Sequence, residues 1–377
     1  AGLLSGTPAL GTVNNYSITI TAANGNAPNG TQSFQLAVAK ADQSIGFTPP
    51  TTQAFSASPV PLTATATSGL AVTFSSQSPS VCTVSGAFAN MVSIGTCVIA
   101  ADQAGNADFE AAKQVLGQFD IDTGTQTITF GAQSPGTRTF APAGTFPLSP
   151  AATASSGLAV SYQSLTTDVC TITGTTPTVT IVATGLCTIE AFQPGNANYD
   201  AAAPVQRSIG ILKANQTITF PTQPQQNFAS GGTFAINPLA TATSGLPITY
   251  NSTTISVCTV SGTTVTIVSV GTCTIAANQA GDDNWNAAPQ VTRNVQIQAV
   301  VPGAPTIGTA TPGNGQATIE FTPPSFDGGV AITGYTATCN PGGFTGNAGA
   351  SPVTVSSLQN GTTYTCSVQA TNSAGTS

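Results

Sequence analysis

The chain of 377 residues carries 6 Lys and Arg against 13 Asp and Glu, a net charge of -7 and a charged content of 5%, where soluble domains average about 25%. Such a surface has no cationic field for phosphates and no polybasic membrane patch, which excludes nucleic acid as a partner and lipid binding by charge; with 40% hydrophobic residues the chain is not a disordered polyelectrolyte either. Histidine is absent, so Ser-His-Asp triads, histidine zinc sites and imidazole acid-base chemistry are not expected.

No apolar run reaches the roughly 18 residues of a membrane span, so no direct membrane insertion is expected. In chain order, Tyr16-Ser17-Ile18-Thr19-Ile20 and Phe34-Gln35-Leu36-Ala37-Val38 read first, as two alternating strands. A repeat follows. Gln43-Ser44-Ile45-Gly46-Phe47, Gln126-Thr127-Ile128-Thr129-Phe130 and Gln216-Thr217-Ile218-Thr219-Phe220 open three units. Each then reaches Ser-Gly-Leu at Ser68, Ser156 and Ser244, positions 88 and 88 apart, and Val-Cys-Thr at Cys82, Cys170 and Cys258, again 88 and 88 apart. A second cysteine (Cys97, Cys187, Cys273) stands two residues after a glycine. The units close on Gln103 to Phe109, Gln193 to Tyr199 and Gln279 to Trp285. Four landmarks in fixed order, three times over, establish a tandem array.

Within the units the hydrophobic period is two: Val179 and Ile181 alternate with Thr178 and Thr180, Val265 and Ile267 with Thr264 and Thr266. Threonine takes the outward positions because a β-branched side chain suits a pleated surface. No segment of ten or more residues has helical periodicity with caps. The expected fold is all-β, with tandem immunoglobulin-like antiparallel β-sandwiches forming an elongated rod. The expected modules are residues 1–41 (half a domain), 42–124, 125–213, 214–300 and 301–377.

Eight cysteines fall two per module: Cys82 with Cys97, Cys170 with Cys187, Cys258 with Cys273, Cys339 with Cys366. An even count at repeated spacing, without CxxC and without histidine, reads as disulfides in an oxidising exterior, and reduced core thiols are the alternative. In three modules the two cysteines fall near the ends of what read as adjacent strands.

These motifs resemble known families. The units spanning 42–298 resemble bacterial immunoglobulin-like repeats of large surface and secreted proteins, through the closing phrases Gly105 to Ala112, Gly195 to Ala202 and Gly281 to Ala288. From about residue 302 the chain resembles a bacterial fibronectin type III module. The match runs through Pro302-Gly303-Ala304-Pro305, Phe321-Thr322-Pro323-Pro324, Asp327-Gly328-Gly329, Ile332-Thr333-Gly334-Tyr335, Asn360-Gly361-Thr362 and Ala370-Thr371-Asn372. Tyr364, two residues before Cys366, suits the tyrosine corner of such sandwiches; the family's usual tryptophan is replaced by Phe321, and the last strand is expected to be missing. Residues 1–41 resemble the last half of an immunoglobulin-like domain of the kind found beside cadherin-like modules, with Gly2-Leu3-Leu4-Ser5-Gly6-Thr7-Pro8 as the phrase before its final strands. The chain thus reads as a window on a longer polypeptide, and the incomplete domain as a strand edge that another chain could complete.

Candidate chemistry is sparse. Asp282, Asp283 and Asn284 could offer oxygens to calcium, but the other copies have Asn106-Ala107 and Asn196-Ala197, so a turn in which the side chain bonds its own backbone is expected. Phe109, Tyr199 and Trp285 are expected to plug the ends of their own cores, with a sugar-stacking platform as the competing role. Asp120 and Asp122 share a strand face and read as solvated. The Asn-X-Ser/Thr sequences at Asn15, Asn29, Asn215, Asn251 and Asn360 occur at the rate chance provides. No cofactor, metal or catalytic group is expected. The functional expectation is a non-catalytic stalk or fibre segment at a bacterial cell surface, partnered by neighbouring copies, surface proteins or glycans. The alternatives are a glycan- or protein-binding module and a spacer beside a secreted hydrolase.

Overall fold

A computed structural model describes residues 5–23 and 25–377 of the chain. Gly2, Leu3 and Leu4 of the opening phrase lie outside the described residues. Among the described residues every regular element is a strand, as expected of short β-branched runs punctuated by Gly, Pro, Asn and Ser. The chain divides into two compact units, one of Ala1–Arg138 with Pro142–Gly210 and one of Thr139–Ala141 with Ile211–Ser377.

The first unit opens on an antiparallel hairpin, Asn14–Ala22 with Gly30–Val38, nine pairs in unbroken register. Tyr16 faces Leu36 and Ile18 faces Phe34, yet Tyr16, Ile20, Phe34 and Leu36 remain 38–54% exposed. The first repeat is a sandwich of two larger sheets, with the opening strand Ile45–Phe47 paired to Ala64–Ala66 as a further two-stranded sheet. Val60–Pro61, Phe88–Met91 and Cys82–Ser85 make one sheet; Gln53–Ala54, Val115–Asp122, Gly95–Asp102 and Thr73–Ser76 make the other, in those orders. Along Val115–Asp122 burial alternates, so that Phe119 and Ile121 point into the core while Asp120 and Asp122 stay exposed. Gln53–Ala54 is the exception to antiparallel pairing and runs parallel to the last strand of its module.

The second repeat builds the same sandwich from Thr145–Pro147, Thr178–Ile181 and Cys170–Thr171 against a sheet centred on Gly185–Phe192 and Val205–Leu212. Its core residues Val179, Ile189 and Ala191 are fully buried.

In the second unit the third repeat pairs Thr233–Ala235, Thr264–Ile267 and Cys258–Ser261 against Gln226–Asn227, Val291–Gln298, Gly271–Asn278 and Thr249–Ser252. Val265, Ile275, Val295 and Ile297 have no exposed surface, and each such side chain stabilises the module by roughly 1.5–3 kcal/mol relative to exposure. The last module sets Thr306–Gly313, Gln316–Thr322 and Val353–Ser356 against Phe344–Ala348, Gly334–Asn340, Thr365–Asn372 and Gly375–Thr376. That final two-residue strand pairs Thr376 with Thr371 and Gly375 with Asn372, where the sequence pattern placed no strand.

Candidate functional site at the module joints

The repeat landmarks converge in space. In the first repeat the Gln43 side-chain amide donates to Gln103 Oε1 (2.9 Å) and to the Glu110 carbonyl (2.7 Å), while Ser68 Oγ donates to Gln43 Oε1 (2.5 Å). Gln126 makes the same three bonds with Gln193, Asp200 and Ser156, and Gln216 with Gln279, Asn286 and Ser244. The second glutamine of each set donates to a backbone carbonyl, of Ala71, Ala159 or Pro247, and accepts from the amide of Gly105, Gly195 or Gly281. Gln126, Gln193, Gln216 and Gln279 are buried, Gln216 to 2% exposure. An amide can be buried at low cost only when its donors and acceptor are occupied, and these are. The network therefore ties the opening strand, the Ser-Gly-Leu turn and the closing phrase of each module together.

The closing phrase itself turns on a glycine at φ of +75° to +80° (Gly105, Gly195, Gly281), a backbone region that glycine enters without steric cost. A Cβ there would overlap the backbone of Phe109, Tyr199 or Trp285 respectively. The next side chain then caps the turn: Asn106 Oδ1 accepts from the Asp108 and Phe109 amides, Asn196 Oδ1 from Asn198 and Tyr199, Asp282 Oδ1 from Asn284 and Trp285, all at 2.8–2.9 Å. Asp282 and the two asparagines are thus interchangeable backbone caps. Among the described residues no group of three or more His, Cys, Asp or Glu is placed to hold a metal.

The turn presents the aromatic residue to the segment that enters the same module. Ala41, Gly124 and Ala214 form single parallel bridges with Phe109, Tyr199 and Trp285. The bonds recur: Ala41 N to Asp108 O and Glu110 N to Ala41 O, then Gly124 N to Asn198 O and Asp200 N to Gly124 O, then Ala214 N to Asn284 O and Asn286 N to Ala214 O, all 2.8–3.0 Å. The rings are half-buried and stand outside the core clusters of the first and third repeats. Phe109, Tyr199 and Trp285 thus stand at the ends of their modules, half-buried and bridged to the entering segment.

Inside the first unit, the Tyr199 ring meets Phe55 of the preceding repeat edge-on, with centroids 5.3 Å apart and planes at 88°. Asn198 reaches back as well, its Oδ1 accepting from the Ile94 amide at 3.2 Å. A Cβ on Gly124 would overlap the Phe55 carbonyl and lie 3.2 Å from Tyr199 Cδ1, so the linker passes where only a glycine fits. Inside the second unit, Trp285 meets Phe140 edge-on at 5.8 Å, and Phe228 stacks on Phe326 at 6.1 Å and 5°. The Asp327-Gly328-Gly329 motif completes that last joint. Val300 N donates to Gly328 O (3.1 Å), the Asn372 amide donates to Val300 O (2.8 Å) and Asp327 O (2.7 Å), and a Cβ on Gly329 would press on Phe228 and Val270 at 2.5 Å. Phe55, Phe140 and Phe228 were not singled out from the sequence. Their spacing of 85 and 88 residues was the available signal, and each donates its amide to the end of its module's last strand.

All eight cysteines are joined in the four pairs read from the spacing. In the three repeats the bond is not between neighbouring strands: Phe88–Met91 separates Cys82–Ser85 from Gly95–Asp102, and Cys82 to Cys97 crosses from one sheet to the other. Tyr364 packs at the edge of the last core, and its hydroxyl accepts from the Gln359 amide at 2.9 Å, the upstream backbone bond of a tyrosine corner. Asp120, exposed, accepts from Thr96 Oγ1 at 2.7 Å.

Residues 303–377 match the fibronectin type III domain family. Comparison with curated proteins gave no match. Solved structures to which the chain is similar include Drosophila N-cadherin EC1-4 (10% identity, 79% of this chain and 88% of that one, TM-score 0.25) and Sidekick-1 immunoglobulin domains 1-5 (14%, 92% and 82%, 0.27). Surface layer protein SbsC, domains 1-6, is similar at 13% identity over 96% of this chain and 55% of that one (0.23). Residues 303–377 thus belong to the fibronectin type III domain family, and the three repeats before them fold as tandem immunoglobulin-like β-sandwiches with one disulfide in each.

Proposed function

We propose that this chain is a non-catalytic structural segment of an extracellular bacterial surface protein, a stalk or fibre element that transmits position and tension between the parts it joins. The observation that carries this reading is the repeated joint, in which a backbone bridge closes each repeat onto the segment that enters it and the ring pairs Tyr199–Phe55, Trp285–Phe140 and Phe228–Phe326 join successive modules inside the compact units. Four disulfides support an oxidising exterior. The competing sugar-platform role is not favoured, since Tyr199 and Trp285 spend a ring edge or face on Phe55 and Phe140. Single-molecule extension of the chain tests the proposal. The expected record is a series of separate unfolding events, each lengthened after reduction by the residues between the paired cysteines. Smooth extension without separate events would overturn it.

A further inference from the structure

One of the four disulfides differs from the others in kind. The bonds of the three repeats join facing sheets, with Cα atoms 5.5–5.6 Å apart, and all six of those cysteines are 0% exposed. Cys339 and Cys366 instead stand directly opposite each other on neighbouring strands of one sheet, with Cα atoms 4.0 Å apart. Cys339 has no exposed surface, whereas Cys366 is half-buried, the one cysteine of the eight that solvent reaches. It lines a cleft of about 370 Å³ together with Tyr364, Leu358, Asn360, Gln316 and Pro312.

The bond is also redundant with the ladder beside it. Gly334–Asn340 and Thr365–Asn372 are held by seven register pairs, of which Cys339 with Cys366 is one. The sheet opposite is held by apolar contacts of Ile319, Val353 and Val355 with Ala337 and Val368 in the same core. Opening the disulfide therefore leaves the strand pairing and the core in place. Thiol exchange requires a sulfur that a thiolate reaches, and exposure separates labile bonds from structural ones.

We propose that Cys339–Cys366 is a thiol-exchange site that accepts a low-molecular-weight thiol at Cys366 while the module stays folded. The incoming thiolate enters the cleft and attacks Cys366 Sγ. A new sulfur-sulfur bond forms there, the Cys339–Cys366 bond breaks, and its electron pair leaves on Cys339 Sγ, which takes a proton. Cys366 then carries a mixed disulfide. A second thiol attacking the acquired sulfur releases the oxidised small disulfide and leaves two thiols. The order is directional because Cys339 is closed to attack. This site goes beyond the stalk reading and does not depend on it.

The test is graded reduction of the intact chain with dithiothreitol without denaturant, followed by alkylation and peptide mass spectrometry. Cys339 and Cys366 should be alkylated at least tenfold faster than the other six. With a mixture of reduced and oxidised glutathione, the adduct should sit on Cys366. Equal rates for all four bonds, or faster opening of any repeat disulfide, overturn the proposal, as does an adduct on Cys339. A second arm uses the Cys339→Ala chain, whose free Cys366 should react with a chromogenic aromatic disulfide in the folded state. A thiol that reacts only after denaturation refutes the accessibility on which the site rests.

Discussion

Replacing Gln216 with Ala removes the centre of the third repeat's buried network. Three hydrogen bonds go: to Gln279 Oε1 (2.6 Å), to the Asn286 carbonyl (2.8 Å) and from Ser244 Oγ (2.5 Å). At roughly 0.5–1.5 kcal/mol net for each, with the Asn286 carbonyl left poorly partnered at a 2%-exposed site, the loss comes to about 3 kcal/mol. Trp285 is the single tryptophan of the chain and sits in the closing phrase of that same module, two of whose backbone groups bond to Ala214. Its fluorescence therefore reports the third repeat and its ring contact with Phe140. In urea, with a slope of about 1–1.5 kcal/mol/M for a module of this size, the tryptophan midpoint should fall by about 2–3 M. The matched substitution Gln43→Ala, in the first unit, should leave that midpoint unchanged while weakening its own module. A shift corresponding to less than about 0.5 kcal/mol for Gln216→Ala refutes the network's role, because that is the range of surface substitutions. An equal shift from Gln43→Ala refutes the independence of the modules.

Gly124→Ala should open the bridge to Tyr199, because its Cβ has no room beside the Phe55 carbonyl; hydrogen exchange at the Gly124 and Asp200 amides should accelerate by tenfold or more, and unchanged protection would contradict the joint. Removing the disulfide of the third repeat by Cys258→Ala with Cys273→Ala frees a loop with a sequence separation of 15, which should cost about 3 kcal/mol on the same tryptophan transition. Asp282→Asn should be neutral within about 0.5 kcal/mol, since Asn106 and Asn196 make the same two amide bonds, whereas Asp282→Ala should cost about 1–2 kcal/mol. Loss on Asp282→Asn would mean that the carboxylate charge, not the cap, matters there.

Much of the fold was legible because the repeat spacing and the alternation of Val and Ile with Thr report local and short-range constraints. Tyr364 was legible too, since its relation to Cys366 is a matter of two positions along one strand approach. The glutamines were visible as landmarks but not as a network: Gln43 and Gln103 are 60 residues apart, and Gln43 and Ser68 are 25. Nothing in a linear pattern says that three markers share one buried point. The aromatics were visible as part of the closing phrases, but their ring partners were not. Tyr199 finds Phe55 across 144 positions of sequence, in another module. Sheet membership of the cysteines was hidden in the same way by the intervening Phe88–Met91 strand.

The short parallel pairing at the edge of the repeats has a mechanical meaning. Gln53–Ala54 lies beside Ile121 and Asp122, and Phe55 N adds a bond to Asp122 O at 2.9 Å; Gln226–Asn227 and Phe228 do the same with Ile297 and Gln298. A strand near the start of the module and its last strand point the same way, so drawing the two ends of the chain apart slides one past the other. The bonds between them are then loaded together in shear, and none can be peeled open ahead of the rest. A hairpin edge in the same place would unzip one bond at a time. Two residues of parallel strand thus convert a modest patch of backbone hydrogen bonds into a clamp against extension.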